Sequence, residues 1–395
     1  MTFPAQDSIA FVWENFGPYH GDRLEAVGRA LSGNYRVVGI EIGGSSVMYD
    51  WNKIQQIDGA ERVTLFPAVS RNSVRTLTLA KAILRACVYF RARHIFLCNY
   101  NRRETLLVAT ILRLLGRRVY IMSDSKFDDK PRILWRELLK TAYILPYHGA
   151  LVAGARNADY LRFLGFKPAR IHLGYDAVSI DRIRAYSGTL PAPDGTPFEE
   201  RHFTIVARLV PKKNIAMAID AYTRYAKMLG AGARDLYICG SGECEEVLRR
   251  QAESLGDKIK FCGFVQTPEV ARILGSTLAL ILPSTEEQWG LVINEAVAMS
   301  LPILCSMNVG ARDLLVRSGV NGYIYEPDNP AGLAEYMHEL GANVDLWRRQ
   351  CEASRRLARL ADASLFAASV SRMISGEICD AVTDNPAAVA DECPR

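Results

Sequence analysis

The chain has 395 residues, 49% hydrophobic and 23% charged, which suits about two or three domains with sizeable cores and excludes global disorder. No apolar run reaches the roughly 18 residues that a bilayer-spanning helix needs. The net charge of +5 hides an asymmetry: residues 1–185 carry 27 Lys and Arg against 16 Asp and Glu, and the remainder carries 21 against 27.

In chain order, residues 8–13 predict a strand, 22–31 a helix and 35–42 a strand. A long helix is expected over 71–91, then a strand at 94–98, a helix over 105–115, a strand at 118–122 and a helix over 131–143. Short strands at 150–153 and 170–173 follow. Strands alternating with helices of about 10–20 residues imply βα units around a parallel sheet. Residues 187–197 hold three prolines and two glycines in eleven positions and read as a linker and hinge. The alternation then restarts: strands at 203–207, 235–239, 258–261, 278–282 and 302–305, and helices over 214–229, 243–255 and 292–299. Two further helices are expected over 345–360 and 364–374. The expected fold is α/β, with two doubly wound Rossmann-like domains over 1–186 and 187–360. Residues 361–395 are expected to give a helix packing back on the first domain, then a frayed tail from about 380.

The charge split fits two domains that face each other, the first meeting something anionic. Its cations are scattered and lack the aromatic interleaving of a nucleic-acid platform, so nucleic acid is not an expected partner. An anionic membrane surface or a phosphate-bearing acceptor fits better. Arg71, Arg75, Lys81, Arg85, Arg91 and Arg93, set among apolar residues, mark one stretch suited to lie on anionic lipid; a solvated basic helix face is the alternative. The nine cysteines are odd in number and lack zinc-like spacing, as expected of small buried hydrophobes in a reducing compartment. The opening residues show no secretory signal pattern. A cytoplasmic location is expected, with a peripheral position at the inner face of the membrane as a further option.

Ligands of open parallel sheets bind beyond the carboxyl ends of the strands, and four such ends in the second half carry polar or glycine-rich residues. After 203–207 come Arg208 and Lys213, two cations suited to the two phosphates of a diphosphate, or a solvated basic turn. After 235–239 come Gly240, Ser241 and Gly242, either a backbone approach to a phosphate or ribose, or a tight connection. After 278–282 come Glu287, Gly290, Leu291, Val292 and Glu295, where carboxylates suit vicinal hydroxyls. After 302–305 come Val309, Gly310 and Asp313, then Asn321, Gly322 and Pro327.

In order and spacing across 203–327 these motifs resemble the donor domain of glycosyltransferase family 4, retaining enzymes of the GT-B fold. The resemblance implies two domains across a cleft. It implies that Arg208 and Lys213 hold the donor diphosphate, that Glu295 binds ribose hydroxyls, and that Glu287 contacts the transferred sugar or its surroundings. Gly290, Leu291 and Val292 would offer backbone amides. Gly17 would lie in the first glycine loop, with His20 beside it as a catalytic-side residue or a loop histidine fixed by hydrogen bonds. Three positions depart from the pattern: Val309 for a glycine, Asp313 for a glutamate and Ser300 for a glycine. The family's histidine after the strand ending at Met122 is absent, and Asp124 stands near its place.

The expected activity is transfer of a hexose-type sugar from a UDP- or GDP-linked donor to a glycan, lipid-linked or small-molecule acceptor. The donor is a substrate, and neither a cofactor nor a metal is implied. The alternatives are a GT-B epimerase or phosphorylase and a non-catalytic nucleotide-sugar binding protein. An NAD-dependent dehydrogenase lacks support, because no GxGxxG follows the first strand.

Overall fold

A computed structural model describes residues 7–44, 57–129 and 131–377. The expected tail from 380 lies outside the described residues. The chain divides into two compact units, one of residues 1–178 with 363–395 and the other of 179–362. The division falls at Val178/Ser179, ahead of the expected 186/187. The proline-rich stretch is no linker, because it packs within the second unit. Ala192 N donates to Met299 O at 3.0 Å, and Arg355 reaches Ala192 O at 2.9 Å and Asp194 at 2.7 Å.

The first unit is built on strands β1 (Ser8–Trp13), β2 (Arg36–Gly43), β3 (Glu61–Phe66), β4 (Ala92–Leu97), β5 (Arg118–Ser123), β6 (Gly149–Val152) and β7 (Ile171–Leu173). They form one sheet in the order β3-β2-β1-β4-β5-β6-β7, with every pairing parallel. Its helices are α1 (Pro18–Leu31), α2 (Thr76–Tyr89), α3 (Arg103–Leu114), α4 (Leu134–Ile144) and α5 (Ala155–Phe163). Successive strand residues point to opposite faces. Ala10 and Val12 therefore join the core with Leu79 and Ile83 of α2, Val108 and Leu112 of α3, and Leu161 of α5. Ile9, Phe11 and Trp13 join the opposite core with Leu24 and Val27 of α1. The expected helix over 71–91 is shorter. Arg71–Ser73 is a 3-10 turn, because Arg71 is drawn in by ion pairs to Glu14 at 3.4 Å and to Glu104.

The second unit holds α6 (Ile180–Ser187), β8 (His202–Val206), α7 (Ile215–Leu229), β9 (Leu236–Cys239), α8 (Glu245–Ala252), β10 (Ile259–Gly263), α9 (Thr267–Gly275), β11 (Thr277–Leu282), α10 (Leu291–Ala298), β12 (Ile303–Ser306), α11 (Arg312–Leu315), β13 (Gly322–Tyr325), α12 (Pro330–Ala342) and α13 (Val344–Leu357). The strand order is β10-β9-β8-β11-β12-β13, again parallel throughout. β11 is buried along its whole length, as a strand covered on both faces should be. The last helix, α14 (Ala363–Ser375), belongs to the first unit. It packs on α1 and sets Phe366 against Phe11, ring centroids 5.6 Å apart.

The C-terminal end of α10 explains one departure from the family pattern. Ser300 N donates to Val297 O at 2.9 Å and Leu301 N to Ala296 O at 3.0 Å, the paired bonds of a Schellman cap. That cap puts Ser300 in the left-handed region at φ 58°, where glycine carries no Cβ penalty. Its hydroxyl is buried without a hydrogen-bond partner among the described residues. Ser300→Gly is therefore expected to stabilise the protein by about 1–2 kcal/mol in urea unfolding, relieving backbone strain and an unmade hydrogen bond. An unchanged or lowered midpoint would contradict this reading of the cap.

Candidate nucleotide-sugar site

In the second unit the sheet order reverses between β8 and β11, so the loops leaving these strands diverge and open a crevice at their carboxyl ends. Arg208, half-buried, leaves β8, and a 3-10 turn over Pro211–Lys213 follows. Asn214 closes that turn at φ 55°, and its side-chain amide donates to Pro283 O at 3.2 Å and Pro327 O at 2.7 Å. Thr285 N donates to Lys212 O at 2.9 Å, and Lys212 pairs with Glu286 at 3.0 Å. Three loops are thus tied together, and Lys213 meets Glu287 in an ion pair 74 residues apart in sequence. Both side chains are mostly shielded, 13% and 15% exposed. Ser284 Oγ donates to the same Glu287 oxygen, Oε2, at 3.1 Å. Both of these hydrogen bonds fall on Oε2.

Gly240 and Gly242 are needed for chain-to-chain approach. A Cβ on Gly240 would lie 1.8 Å from Ala207 O, and one on Gly242 would lie 2.4 Å from Leu209 O. Leu209 N donates to Ser241 O at 2.9 Å and Cys244 N to Leu209 O at 2.9 Å. Of the two sequence readings, the tight connection is the one these distances support: the β9 turn braces the segment that carries Arg208.

Gly290, at φ 102°, caps α10. Leu291 and Val292 are its first residues, so their amides point along the axis without intrahelical acceptors. Glu295 lies on the same helix and is buried, as is Asn294, which accepts from Trp289 Nε1 at 2.9 Å. Val309 bridges Glu287 through the backbone, and Gly310 N donates to Glu287 O at 3.2 Å. The β12 turn therefore fixes the backbone of Glu287 while Lys213 and Ser284 fix its carboxylate. Asp313 is half-buried at the start of α11, beside Arg312.

In the first unit the corresponding reversal lies between β1 and β4. Glu41, buried on β2, accepts from Phe16 N at 2.8 Å, Arg62 Nη2 at 2.6 Å and Thr64 Oγ1 at 2.6 Å, and so anchors the loop carrying Gly17. Gly17 N donates to His20 Nδ1 at 2.9 Å, which places the ring proton on Nε2. Burial, with the charge of Arg23 adding, pushes the His20 pKa down to about 3. His20 is therefore a neutral, loop-fixed histidine near pH 7, able to donate from Nε2 and unable to act as an acid from its charged form.

Asp124 follows β5, and its neighbour in charge is Asp176, which follows β7. Arg23 is buried and pairs with Asp176 at 2.9 Å, donates to Ala177 O at 3.1 Å and lies 4.9 Å from the Tyr175 ring centroid. Burial and then the Asp176 charge raise the Asp124 carboxyl to about 7. Sequence reasoning gave no role to Asn214, Ser284, Glu41 or Arg23. Glu41 was detectable as a lone carboxylate in an apolar strand, which burial obliges to find partners.

Residues 190–357 match the family of glycosyl transferases group 1. Over these residues the chain is similar to group 1 glycosyl transferases. The matched segment contains every second-unit site residue described above. Among similar proteins, the D-inositol 3-phosphate glycosyltransferase of Streptomyces coelicolor is 32% identical over 259 residues, covering 58% of this chain and 56% of the relative. An uncharacterized glycosyltransferase of Methanocaldococcus jannaschii is 31% identical over 142 residues, 35% of either chain. The chain thus spans between a third and just over half of these relatives' lengths. In fold it resembles sucrose-phosphate synthase from Thermosynechococcus elongatus, with a TM-score of 0.70 at 17% identity over 94% of this chain and 99% of that one. It also resembles Anabaena HepE, solved with UDP and glucose, with a TM-score of 0.68 at 14% identity over 94% and 100%. The two parallel sheets with alternating helices are those of the GT-B fold. Among the described residues no group of three or more His, Cys, Asp or Glu is placed to hold a metal ion, and no helix is long and apolar enough to cross a membrane.

The two shifted groups at the first unit's edge act on stability in opposite senses. A carboxyl raised on folding contributes fully below the ordinary carboxylate range, and its contribution is lost as pH rises through about 7. A histidine lowered on folding contributes fully above 6.5, and its contribution is lost as pH falls towards 3. Asp124→Asn removes the first effect only. Its melting point is expected to climb relative to wild type between about pH 5 and about pH 8. A difference that stays flat over that range would show that Asp124 ionises normally.

Proposed function

We propose that the chain transfers a hexose-type sugar from a UDP- or GDP-linked donor, with retention of anomeric configuration, to a glycan, lipid-linked or small-molecule acceptor. The observation that carries this reading is the Lys213–Glu287 pair at the β8/β11 reversal, next to Arg208 and the amino end of α10. Breaking the bond between the anomeric carbon and the phosphate oxygen leaves negative charge growing on the diphosphate. Fixed cations and helix amides aimed at that charge stabilise the transition state without reorganising. Lys213 has three donors, and one on Glu287 leaves two for phosphate oxygens. Arg208 offers a planar fork for the same group. Glu287, with Oε2 engaged, turns Oε1 to a sugar hydroxyl.

In this reading the nucleotide sugar is a substrate and no resident cofactor or metal is needed. Retention is compatible with attack on the face of the departing phosphate, which needs no protein nucleophile. The UDP and glucose held by HepE favour a uridine donor.

The test is a thermal-shift series with UDP, GDP and ADP on wild type and Lys213→Ala. A nucleoside diphosphate at about 100 times its Kd should stabilise the fold by roughly 2.7 kcal/mol. Lys213→Ala should abolish that shift and lower turnover on the order of 10²-fold or more. An α-configured product from an α-configured donor, followed by NMR, checks retention. If no diphosphate binds, or Lys213→Ala turns over at the wild-type rate, the reading fails.

A further inference from the structure

The helices α2, α3 and α5 bury apolar inner stripes against the first sheet as amphipathic helices do, and α4 adds Ile144 to the same core. Their outer faces are not the polar surfaces that usually accompany such burial. On α4, Leu134, Trp135 and Leu138 are 68%, 58% and 62% exposed. Trp135, Leu138, Leu139 and Ala142 stand at i, i+3, i+4 and i+7, one outward stripe. The carboxylate of the same helix points inward. Glu137 is buried, accepting from the Tyr160 hydroxyl at 2.6 Å and from Lys140 at 2.8 Å. The polarity of α4 is thus inverted, with apolar residues outside and the carboxylate inside.

The inversion extends to the neighbouring helices. Of 22 large hydrophobic side chains exposed among the described residues, 14 lie on α2 to α5 or the turns adjoining them. Scattered exposed leucines are ordinary, but such a concentration marks an interaction surface. A groove between α2 and α3 continues it, lined by Leu77, Leu84, Val88, Leu107 and Leu115.

Charge selects the occupant. Helices α2, α3 and α4 contain two carboxylates, Glu104 and Glu137, and both are buried. Lys81, Arg85, Arg103 and Arg136 are exposed on these helices. The helices α2 to α4 therefore expose apolar and cationic side chains with a few threonines, such as Thr78 and Thr110, and no carboxylate. A second copy docking through the same face would set cation against cation. An anionic bilayer surface complements both properties, since apolar side chains enter the headgroup–acyl boundary and cations meet lipid phosphates.

We propose that the outer face of α2 to α4 docks the protein on the surface of a bilayer rich in anionic lipid, with Trp135 and the α4 leucines as the inserted residues. The stretch that the sequence singled out contributes less than expected. Arg71 is turned inward by Glu14 and Glu104, so α2 supplies Lys81 and Arg85 while α4 supplies the apolar contact.

The test is co-sedimentation of the full chain with vesicles of phosphatidylcholine alone or with roughly 30% phosphatidylglycerol. Wild type should pellet with the anionic vesicles only, and less as salt rises. Trp135→Ser/Leu138→Ser/Leu139→Ser should lower partitioning by roughly tenfold or more, and so should Lys81→Glu/Arg136→Glu, whose apolar surface is intact. Both variants should melt as wild type does, because the changed side chains are exposed. Wild type remaining in the supernatant at about 0.1 M salt, or variants that pellet unchanged, would overturn the proposal. So would sedimentation showing a dimer that the triple variant converts to monomer, which would assign the face to a second copy. Nucleotide-induced thermal shifts of the same variants should stay intact, so failure here leaves the donor site untouched.

Discussion

Lys213 stands opposite Glu287 because Asn214, the next residue, is held on both sides. Its backbone takes a left-handed turn, and its side-chain amide uses both hydrogens on the carbonyls of Pro283 and Pro327. Those carbonyls belong to the loops after β11 and β13, so one side chain sets the spacing of three strand ends. The backbone bond from Thr285 to Lys212 and the bracing of 207–209 by the β9 turn complete the frame. Charge stabilisation of a leaving group depends on groups already in position. Here the positioning rests on short-range backbone contacts, and the cations inherit it.

The first unit builds its edge differently. Its loop after β1 is anchored from below by Glu41 and closed by His20 accepting from Gly17. The buried Arg23–Asp176 pair is worth keeping intact mainly because either charge alone would be costly there. Asp124, beside that pair, holds its proton to near neutrality. The edge therefore offers a neutral imidazole donor and a carboxyl close to its titration point, in contrast to the fixed cations of the second unit.

The architecture was legible because parallel strands buried on both faces read as short continuous apolar runs. β1, β4, β5, β8, β9 and β11 were all visible on that ground. β3 was not, since it is only partly buried and carries Glu61, Arg62 and Thr64. α5, α6, α9 and α12 were missed as well, their weaker patterns lying between stronger turn signals. The proline-rich stretch misled because turn composition reports local geometry and says nothing of what the turn packs on. At the site, Arg208, Lys213, Glu287 and Gly290 could be found by spacing from strand ends. Their neighbours could not, because Asn214, Ser284 and Glu41 act through partners distant in sequence. Gly240 and Gly242 were found for one reason among two, and the distances account for the connection between chain segments.

The return of α14 to the first unit has a consequence for the order in which the protein can assemble. The second unit is one continuous stretch, 179–362, and is complete once that stretch has left the ribosome. The first unit is not, although it is made first. Phe11 on β1 waits for Phe366, and α1 waits for a helix that begins at Ala363. Through most of synthesis one face of the amino-terminal sheet is covered only in part, by α1, with Phe11, Phe96 and Trp13 lacking their final lid. Long-range closure of this kind is slow, and exposed apolar surface invites aggregation meanwhile. Translation thus presents this chain with its hazard early and its remedy last, which makes the nascent amino-terminal half the part most in need of a chaperone.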